Sequence, residues 1–415
     1  MLVWEIRMTF IKPYFFIAIL ICCLLPLLAS ASPVDCIPQT REEIHKYAQQ
    51  VLRDEILGYC SEKYISAISP RLSASDLSDA VRNYPEYPRR ITDSANNTIT
   101  IVRPLSRVVA VNAHAIGILG AEDKVIGVSS SALEGACLVP NLAAKIDVGG
   151  GGPSEPDFEK ILSLNPDAIL TYTQLGPGKG FFEDRMPGGV PVIRLDFIKP
   201  SSLREEVMKL GYLLNCTDRS SSYVEWHDSI IDEIDRRLET IPEEERVRVF
   251  IDVWYQGYAG SGNERRTVSD STYYSQSYGS DNGGINIAAD LENPQSTVDI
   301  EWLVRERPDV IFGSAYHGGY TAENISDLKA QYDELKNMQL LKEVPAVRDG
   351  RIYIFSYRYV MNPSYPAARA QAVRWFYPDL FADIDPVEIH QEYINRFYNV
   401  PYDVRTQGAF CYAGE

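Results

Sequence analysis

Aromatic and cationic side chains directly follow several predicted strands of this 415-residue sequence. Loops at the carboxyl ends of parallel strands are where open α/β sheets bind ligands. Aromatic rings with a few cations suit a large, planar or anionic ligand, and phenolate oxygen suits ferric iron. We therefore expect a ligand-binding site. Its candidate residues are His114, Tyr172, Trp254, Tyr255, Tyr316, His317, Arg358 and Tyr359.

Residues for catalysis or for direct binding of a metal ion are sparse by comparison. The sequence has 26 Tyr against 5 scattered His, which argues against a direct zinc or manganese site. It contains no Gly-x-Ser-x-Gly elbow, and no Gly-Lys-Ser/Thr follows the glycines at 149–152. The sequence therefore favours a binding protein without an intrinsic cofactor over an enzyme, and it leaves the metal of any bound ligand unknown.

These side chains need strands that bring them to a common edge, and strand and helix patterns alternate along the chain. Continuous Val/Ile runs indicate strands buried on both faces, and hence parallel sheets. A nearly uninterrupted helical pattern at 201–238, with a joint expected near Asn215, separates two sets of such runs. The runs are 107–112, 124–129, 167–172 and 190–196, then 246–254, 309–314 and 351–356.

One pattern occurs on both sides of this helical stretch. Residues 154–170 read SEPDFEKILSLNPDAIL, and residues 296–312 read STVDIEWLVRERPDVIF. Ser154 and Ser296 are predicted to cap a short helix, which the shared proline ends before a buried strand begins. The chain therefore contains two equivalent helix–strand units, one in each half.

The amino-terminal residues have a pattern typical of export. Arg7 and Lys12 precede an apolar run and the small residues at 29–31, as in a cleaved secretory signal; an uncleaved anchor is the alternative. Disulfides are permitted outside the cytoplasm, and Cys36 and Cys60 flank one predicted helix. We predict that these two cysteines form a disulfide, and the pairing of the others stays open.

The charge of the chain excludes some classes of partner. A formal net charge of −17 argues against nucleic acid and against binding to an anionic membrane surface through basic residues. Three Asn-x-Ser/Thr sequons, at Asn96, Asn215 and Asn324, are compatible with a glycosylated secreted protein. We expect a monomer that is secreted or held at the cell surface.

The order of the segments resembles that of the iron-siderophore/cobalamin class (class III) of periplasmic binding proteins of ABC importers. RVVAVN…AIGILGAEDKVIGVS is similar to the opening of these proteins, and LLKEVPAVRDGRIYIFS to the stretch before their last strand. The resemblance implies that a cleft between two lobes captures a metal chelate of the ferric siderophore, haem or cobalamin type. It also implies delivery to a permease and its ATPase, with Glu159 and Glu301 as the docking residues.

We therefore predict an α/β protein with two Rossmann-like parallel-sheet lobes joined by one long helix, and a small helical module before them. The expected segments are a signal peptide at 1–31, the module at 32–88, the first lobe at 89–200, the connecting helix at 201–240, and the second lobe with terminal helices at 241–415. A secreted hydrolase using a carboxylate pair or a metal, or a cell-surface structural or adhesion protein, is the alternative to the binding protein.

Overall fold

The residues that a computed structural model of the chain describes are 83–414, except 85, 134–136, 152–153, 174–179, 187–189 and 254–262. The predicted signal peptide, nearly all of the small helical module, and the cysteines Cys36 and Cys60 lie outside these residues. The candidate ligand-binding residues Trp254 and Tyr255 also lie outside them.

The first lobe contains a five-stranded parallel sheet. Its three inner strands are almost wholly buried, which is why they consist largely of apolar and β-branched residues. In spatial order the sheet consists of β5 (Ile146–Asp147), β4 (Val125–Val128), β3 (Val108–Ala110), β8 (Ala168–Thr171) and β9 (Val192–Arg194).

Among the described residues, two antiparallel pairs and four short helices complete this lobe. The pairs are β1 (Arg89–Thr92) with β2 (Thr98–Ile101), and β6 (Gly149–Gly151) with β7 (Ser154–Pro156). The helices are α1 (Ile116–Leu119), α2 (Ser130–Leu133), α3 (Pro140–Ala143) and α4 (Phe158–Ser163).

The stretch expected as one connecting helix forms two helices, α5 (Pro200–Leu213) and α6 (Thr217–Leu238). The joint lies where the sequence indicated it, at Asn215, whose φ of 59° interrupts the helical backbone. The two helices pack closely, since a Cβ atom added to Gly211 would lie 2.3 Å from Oγ of Ser220. Only the second helix therefore serves as the long connector.

The second lobe contains a sheet of four parallel strands and one antiparallel edge strand. In spatial order the sheet consists of β12 (Ile285–Asn286), β10 (Arg248–Val253), β14 (Val310–Ala315), β15 (Ile352–Ser356) and the antiparallel β16 (Cys411–Tyr412). The strands β11 (Glu264–Val268) and β13 (Gln295–Asp299) form a separate antiparallel pair. The helices are α7 (Tyr273–Tyr278), α8 (Ile300–Glu306), α9 (Ser326–Asn337), α10 (Pro345–Arg348), α11 (Tyr357–Val360), α12 (Tyr365–Phe376) and α13 (Pro386–Phe397).

The repeated segments form equivalent units in the two lobes, but the predicted caps are wrong. Ser154 and Ser296 lie in β7 and β13. The helix N-caps are Asp157 and Asp299, whose carboxylates accept hydrogen bonds from the backbone N–H three residues later at 2.9 and 2.6 Å. Because each serine is paired in a strand, the chain stays extended past it and the helix begins later than predicted.

The Pro-Asp end of each repeat is tied to the first strand region of its sheet. Oδ2 of Asp167 accepts a hydrogen bond from the backbone N–H of Ser106 at 3.1 Å. In the second lobe Oδ2 of Asp309 accepts one from the backbone N–H of Arg248 at 2.9 Å. Equivalent contacts therefore tie the chain after α4 and after α8 to their respective sheets.

Helix α6 packs against α1 in the first lobe and against α12 in the second. The indole of Trp226, on this helix, stacks on the ring of Tyr393 in α13 with centroids 5.2 Å apart. One hydrophobic core runs from the first sheet through these aromatic residues to the second sheet. The α/β fold with two parallel-sheet lobes and a long connecting helix is thus confirmed. Within the described ranges, no helix is both long and apolar enough to cross a membrane.

Candidate ligand-binding site

A cavity of about 800 Å³ lies between the two lobes. Residues that follow β3, β8 and β9 line it from the first lobe, and residues that end or follow β10, β14 and β15 line it from the second. The cavity therefore lies at the carboxyl ends of both sheets, as expected for open α/β sheets. Its volume is at the large end of the range for small-molecule sites.

Tyrosine is the commonest side chain among the described lining residues. The rings of Tyr273 and Tyr274 stack with centroids 4.8 Å apart, and Tyr357 lies 6.3 Å from Tyr274. Burial raises the pKa of all three phenols above its ordinary value, so they are neutral at pH 7. They offer stacking faces and O–H donors rather than phenolate oxygens. The eight lining tyrosines are Tyr172, Tyr273, Tyr274, Tyr316, Tyr320, Tyr357, Tyr393 and Tyr398.

Cations outnumber carboxylates among the described lining residues. Lys199 pairs with Asp196 at 3.0 Å, and the same carboxylate accepts hydrogen bonds from the backbone N–H and the hydroxyl of Thr173. The guanidinium of Arg358 lies over the ring of Tyr316, 5.8 Å from its centroid. The cavity therefore has a cationic group beside an aromatic wall, which suits an anionic or acceptor-rich ligand.

His114 contributes to the opposite wall of the cavity. Its ring meets that of Tyr172 edge to face, with centroids 6.2 Å apart. Burial, together with the nearby charge of Arg358, lowers the pKa of His114 to about 4, so the imidazole is neutral at pH 7. The backbone carbonyl of Tyr172 accepts a hydrogen bond from the buried Arg194 at 2.9 Å, which fixes the chain at this point.

Four of the residues expected at the site line the cavity: His114, Tyr172, Tyr316 and Arg358. His317 is not among the lining residues; its ring packs edge to face against Tyr316, 5.5 Å away. Tyr359, also expected at the site, is likewise not a lining residue.

Tyr359 is only 3% exposed and packs against His390 and Phe410 in the core. It lies in the single helical turn α11. There Tyr357 and Arg358 face the cavity, and the next residue points towards the interior. A strand-end position alone could not distinguish these neighbouring side chains.

Several lining tyrosines were not among the predicted site residues. Tyr273 and Tyr274 lie on α7, and Tyr393 and Tyr398 lie on or just after α13, so none of them follows a strand of the parallel sheets. The only signal in the sequence was the pair of adjacent tyrosines at 273–274, which the strand-end argument does not use.

Glu159 and Glu301 occupy the same position in the two repeats. Each is exposed and is the second residue of its helix, two positions after the capping aspartate. A carboxylate in the first turn also interacts favourably with the helix dipole. The two side chains are therefore available on the surface, one on each lobe.

The described ranges contain three cysteines. Cys137, Cys216 and Cys411 are free there. In the same residues no group of three or more His, Cys, Asp or Glu side chains is arranged to hold a metal ion.

Known proteins share both the sequence pattern and the fold. A family model described as periplasmic binding protein matches residues 113–358, more than half of the chain. Cobalamin-binding proteins from two strains of Halobacterium salinarum are each 26% identical over 240 residues, which is 54% of this chain and 58% of theirs. The chain thus spans less than two thirds of the length of these curated relatives.

Solved structures extend the similarity in fold. The TroA-like periplasmic binding protein FepB from Veillonella parvula aligns with a TM-score of 0.63 and 19% identity, over 79% of this chain and all of that one. Molybdate-bound MolA from Haemophilus influenzae aligns with a TM-score of 0.58 and 18% identity, over 76% of this chain and 99% of that one. The chain belongs to the periplasmic binding protein family, whose members bind substrates.

Proposed function

We propose that this protein captures a bulky metal chelate between its lobes and delivers it to an ABC importer. The chelate is of the ferric siderophore, haem or cobalamin type. The observation that carries the proposal is the cavity of about 800 Å³, whose described lining includes eight tyrosines and Arg358.

The chemistry of the lining favours a preformed chelate over a bare ion. Neutral phenols are weak ligands for a metal ion, but they stack on flat ligand surfaces and donate hydrogen bonds to carbonyl, carboxylate or hydroxamate oxygens. Tyr273, Tyr274 and Tyr357 form a continuous aromatic surface suited to this role. A bare cation would leave most of the cavity unused.

The charge of the lining favours acceptor groups on the ligand. Arg358 can form a bidentate pair with a carboxylate or a phosphate. Lys199 lies on the same cavity wall as Tyr273. Among chelates, a corrinoid is the first to test, because the Halobacterium salinarum relatives are described as cobalamin-binding.

Delivery requires a surface that the permease can recognise in both lobes. Glu159 and Glu301 meet this requirement, because they are exposed at equivalent places of two equivalent units. We infer that they pair with basic residues of the permease. The protein would act outside the cytoplasmic membrane as a monomer, either secreted or held at the cell surface by its amino terminus.

Native mass spectrometry of the protein purified from its own source tests the proposal. We expect one chelate per chain, recognisable by the mass of the ligand and the isotope pattern of its metal. The Arg358→Ala variant from the same source should retain less of it. A chain that carries only a bare metal ion would contradict the proposal.

A further inference from the structure

The three Asn-x-Ser/Thr sequons play no part in the ligand cavity or in the predicted docking positions. A glycan can be attached only where the asparagine amide is accessible, together with the hydroxyl residue two positions later. The structure describes Asn96, Asn215 and Asn324 with their neighbours, and their surroundings differ.

Asn96 lies at the tip of the β1–β2 hairpin, in a left-handed backbone conformation with a φ of 61°. Asp93 organises this turn, because its carboxylate accepts hydrogen bonds from the backbone N–H groups of Ala95 and Asn97 at 3.0 and 2.8 Å. Asn96 and Thr98 are both exposed. Within the described residues the Asn96 side chain forms no hydrogen bond, so its amide nitrogen is accessible.

Asn324 lies two residues before the start of α9, and its whole sequon is exposed, including Ile325 at 39% and Ser326. Its Oδ1 accepts a hydrogen bond from the backbone N–H of Ser326 at 2.9 Å. A glycan is attached to the amide nitrogen and leaves this oxygen as an acceptor. The contact at the start of the helix is therefore compatible with modification.

Asn215 is different, because the joint between α5 and α6 holds it. Its Oδ1 accepts a hydrogen bond at 2.6 Å from Nη2 of Arg89, which is only 5% exposed. Cys216 is partly buried, and Thr217 is the first residue of α6. Asn215 and Thr217 are exposed, as in the other two sequons, but the bond to Arg89 ties this sequon to the base of the joint.

We propose that Asn96 and Asn324 carry N-linked glycans. In the reaction, Nδ2 of the asparagine forms a bond to the anomeric carbon of a sugar and loses one proton. The bond between that carbon and the phosphate of a lipid-linked oligosaccharide donor breaks, and the lipid phosphate leaves. None of these sequon residues lines the ligand cavity, so glycans there leave it open.

Peptide mapping of the protein from its own source tests this assignment. We expect the peptides that contain Asn96 and Asn324 to carry sugar mass increments. If either peptide is entirely unmodified, the assignment is wrong.

Matched variants distinguish loss of the sequon from other effects of a substitution at the same position. Thr98→Ala keeps Asn96 but removes the hydroxyl that the sequon needs, so it should abolish the increment on that peptide, whereas Thr98→Ser should retain it. Ser326→Ala and Ser326→Thr form the same pair for Asn324. An increment that persists in either Ala variant would show that it is not an N-linked glycan of the sequon.

Discussion

The hydroxyl of Tyr320, a residue of the cavity wall, lies 2.8 Å from Nε2 of the buried His390. This bond connects the cavity to the carboxyl-terminal helix α13, where aromatic rings surround the imidazole. Burial lowers the pKa of His390 to about 3. The histidine is therefore neutral in the folded protein, and it links the cavity wall to the core without adding charge.

Acid should destabilise the protein partly through this histidine. The folded-state pKa is depressed below the unfolded value of about 6.5, so the unfolded chain binds a proton that the folded chain excludes. Stability should fall as the pH drops below about 6.5, by at most about 1.4 kcal/mol per pH unit for each such histidine. His114, with a pKa of about 4, acts in the same direction.

Denaturant unfolding at pH 7 and pH 5 measures this effect. His390→Gln can still bond to Tyr320 but does not titrate, so it should lose less stability between the two pH values than the unmodified protein. An equal loss in both proteins would contradict the assignment.

Arg358 should contribute to ligand affinity through its charge. Hydrogen bonds to charged groups contribute about 1.5–3 kcal/mol, so Arg358→Ala should raise the Kd for the chelate by roughly 10- to 100-fold. The loss should be larger at low than at high ionic strength, because salt screens the attraction. Titrations at two salt concentrations check this, with Arg358→Lys as the charge-retaining control. A loss that is independent of salt would exclude the electrostatic role.

Substitution of Glu159 or Glu301 by Lys should impair transport while ligand binding persists. Both residues are exposed and absent from the cavity lining, so the change in ligand affinity should stay within about 1 kcal/mol. The measurement is uptake by cells that carry each variant. The matched control is Glu244→Lys, at another exposed position. Normal uptake with both docking variants would show that these residues do not dock.

The contact between α5 and α6 should be sensitive to a single methyl group. A Cβ atom at residue 211 would lie 2.3 Å from Oγ of Ser220, so Gly211→Ala should cost about 1–3 kcal/mol in the free energy of unfolding. Ser220→Gly removes the opposing side chain. The cost of Gly211→Ala should be smaller in that background, and purely additive effects would mean that the helices do not meet at this point.

The fold and part of the site follow from local sequence patterns. Buried Val/Ile runs and the repeated Pro-Asp segment are local signals, so both sheets could be predicted from them. His114, Tyr172, Tyr316 and Arg358 line the cavity because each follows a strand, and strand ends meet at one edge of a sheet.

The remaining features depend on tertiary packing. Tyr273 and Tyr393 reach the cavity from helices that are distant in sequence, and no local pattern states which helix face meets the cleft. Ser154 satisfies the pattern of a helix cap, yet its pairing in β7 overrides that local preference. In both cases the conformation depends on contacts with a neighbouring segment, which a local sequence pattern does not reveal.

The most direct test of the account is a calorimetric titration of the purified protein with ferric siderophores, haem, cobalamin and bare divalent cations. We expect one class of chelate to bind with a stoichiometry of one per chain and more tightly than any bare cation, and we expect Arg358→Ala to weaken that binding. Tight binding of a bare cation, together with failure of every chelate, would contradict the claim that the tyrosine-lined cavity captures a metal chelate.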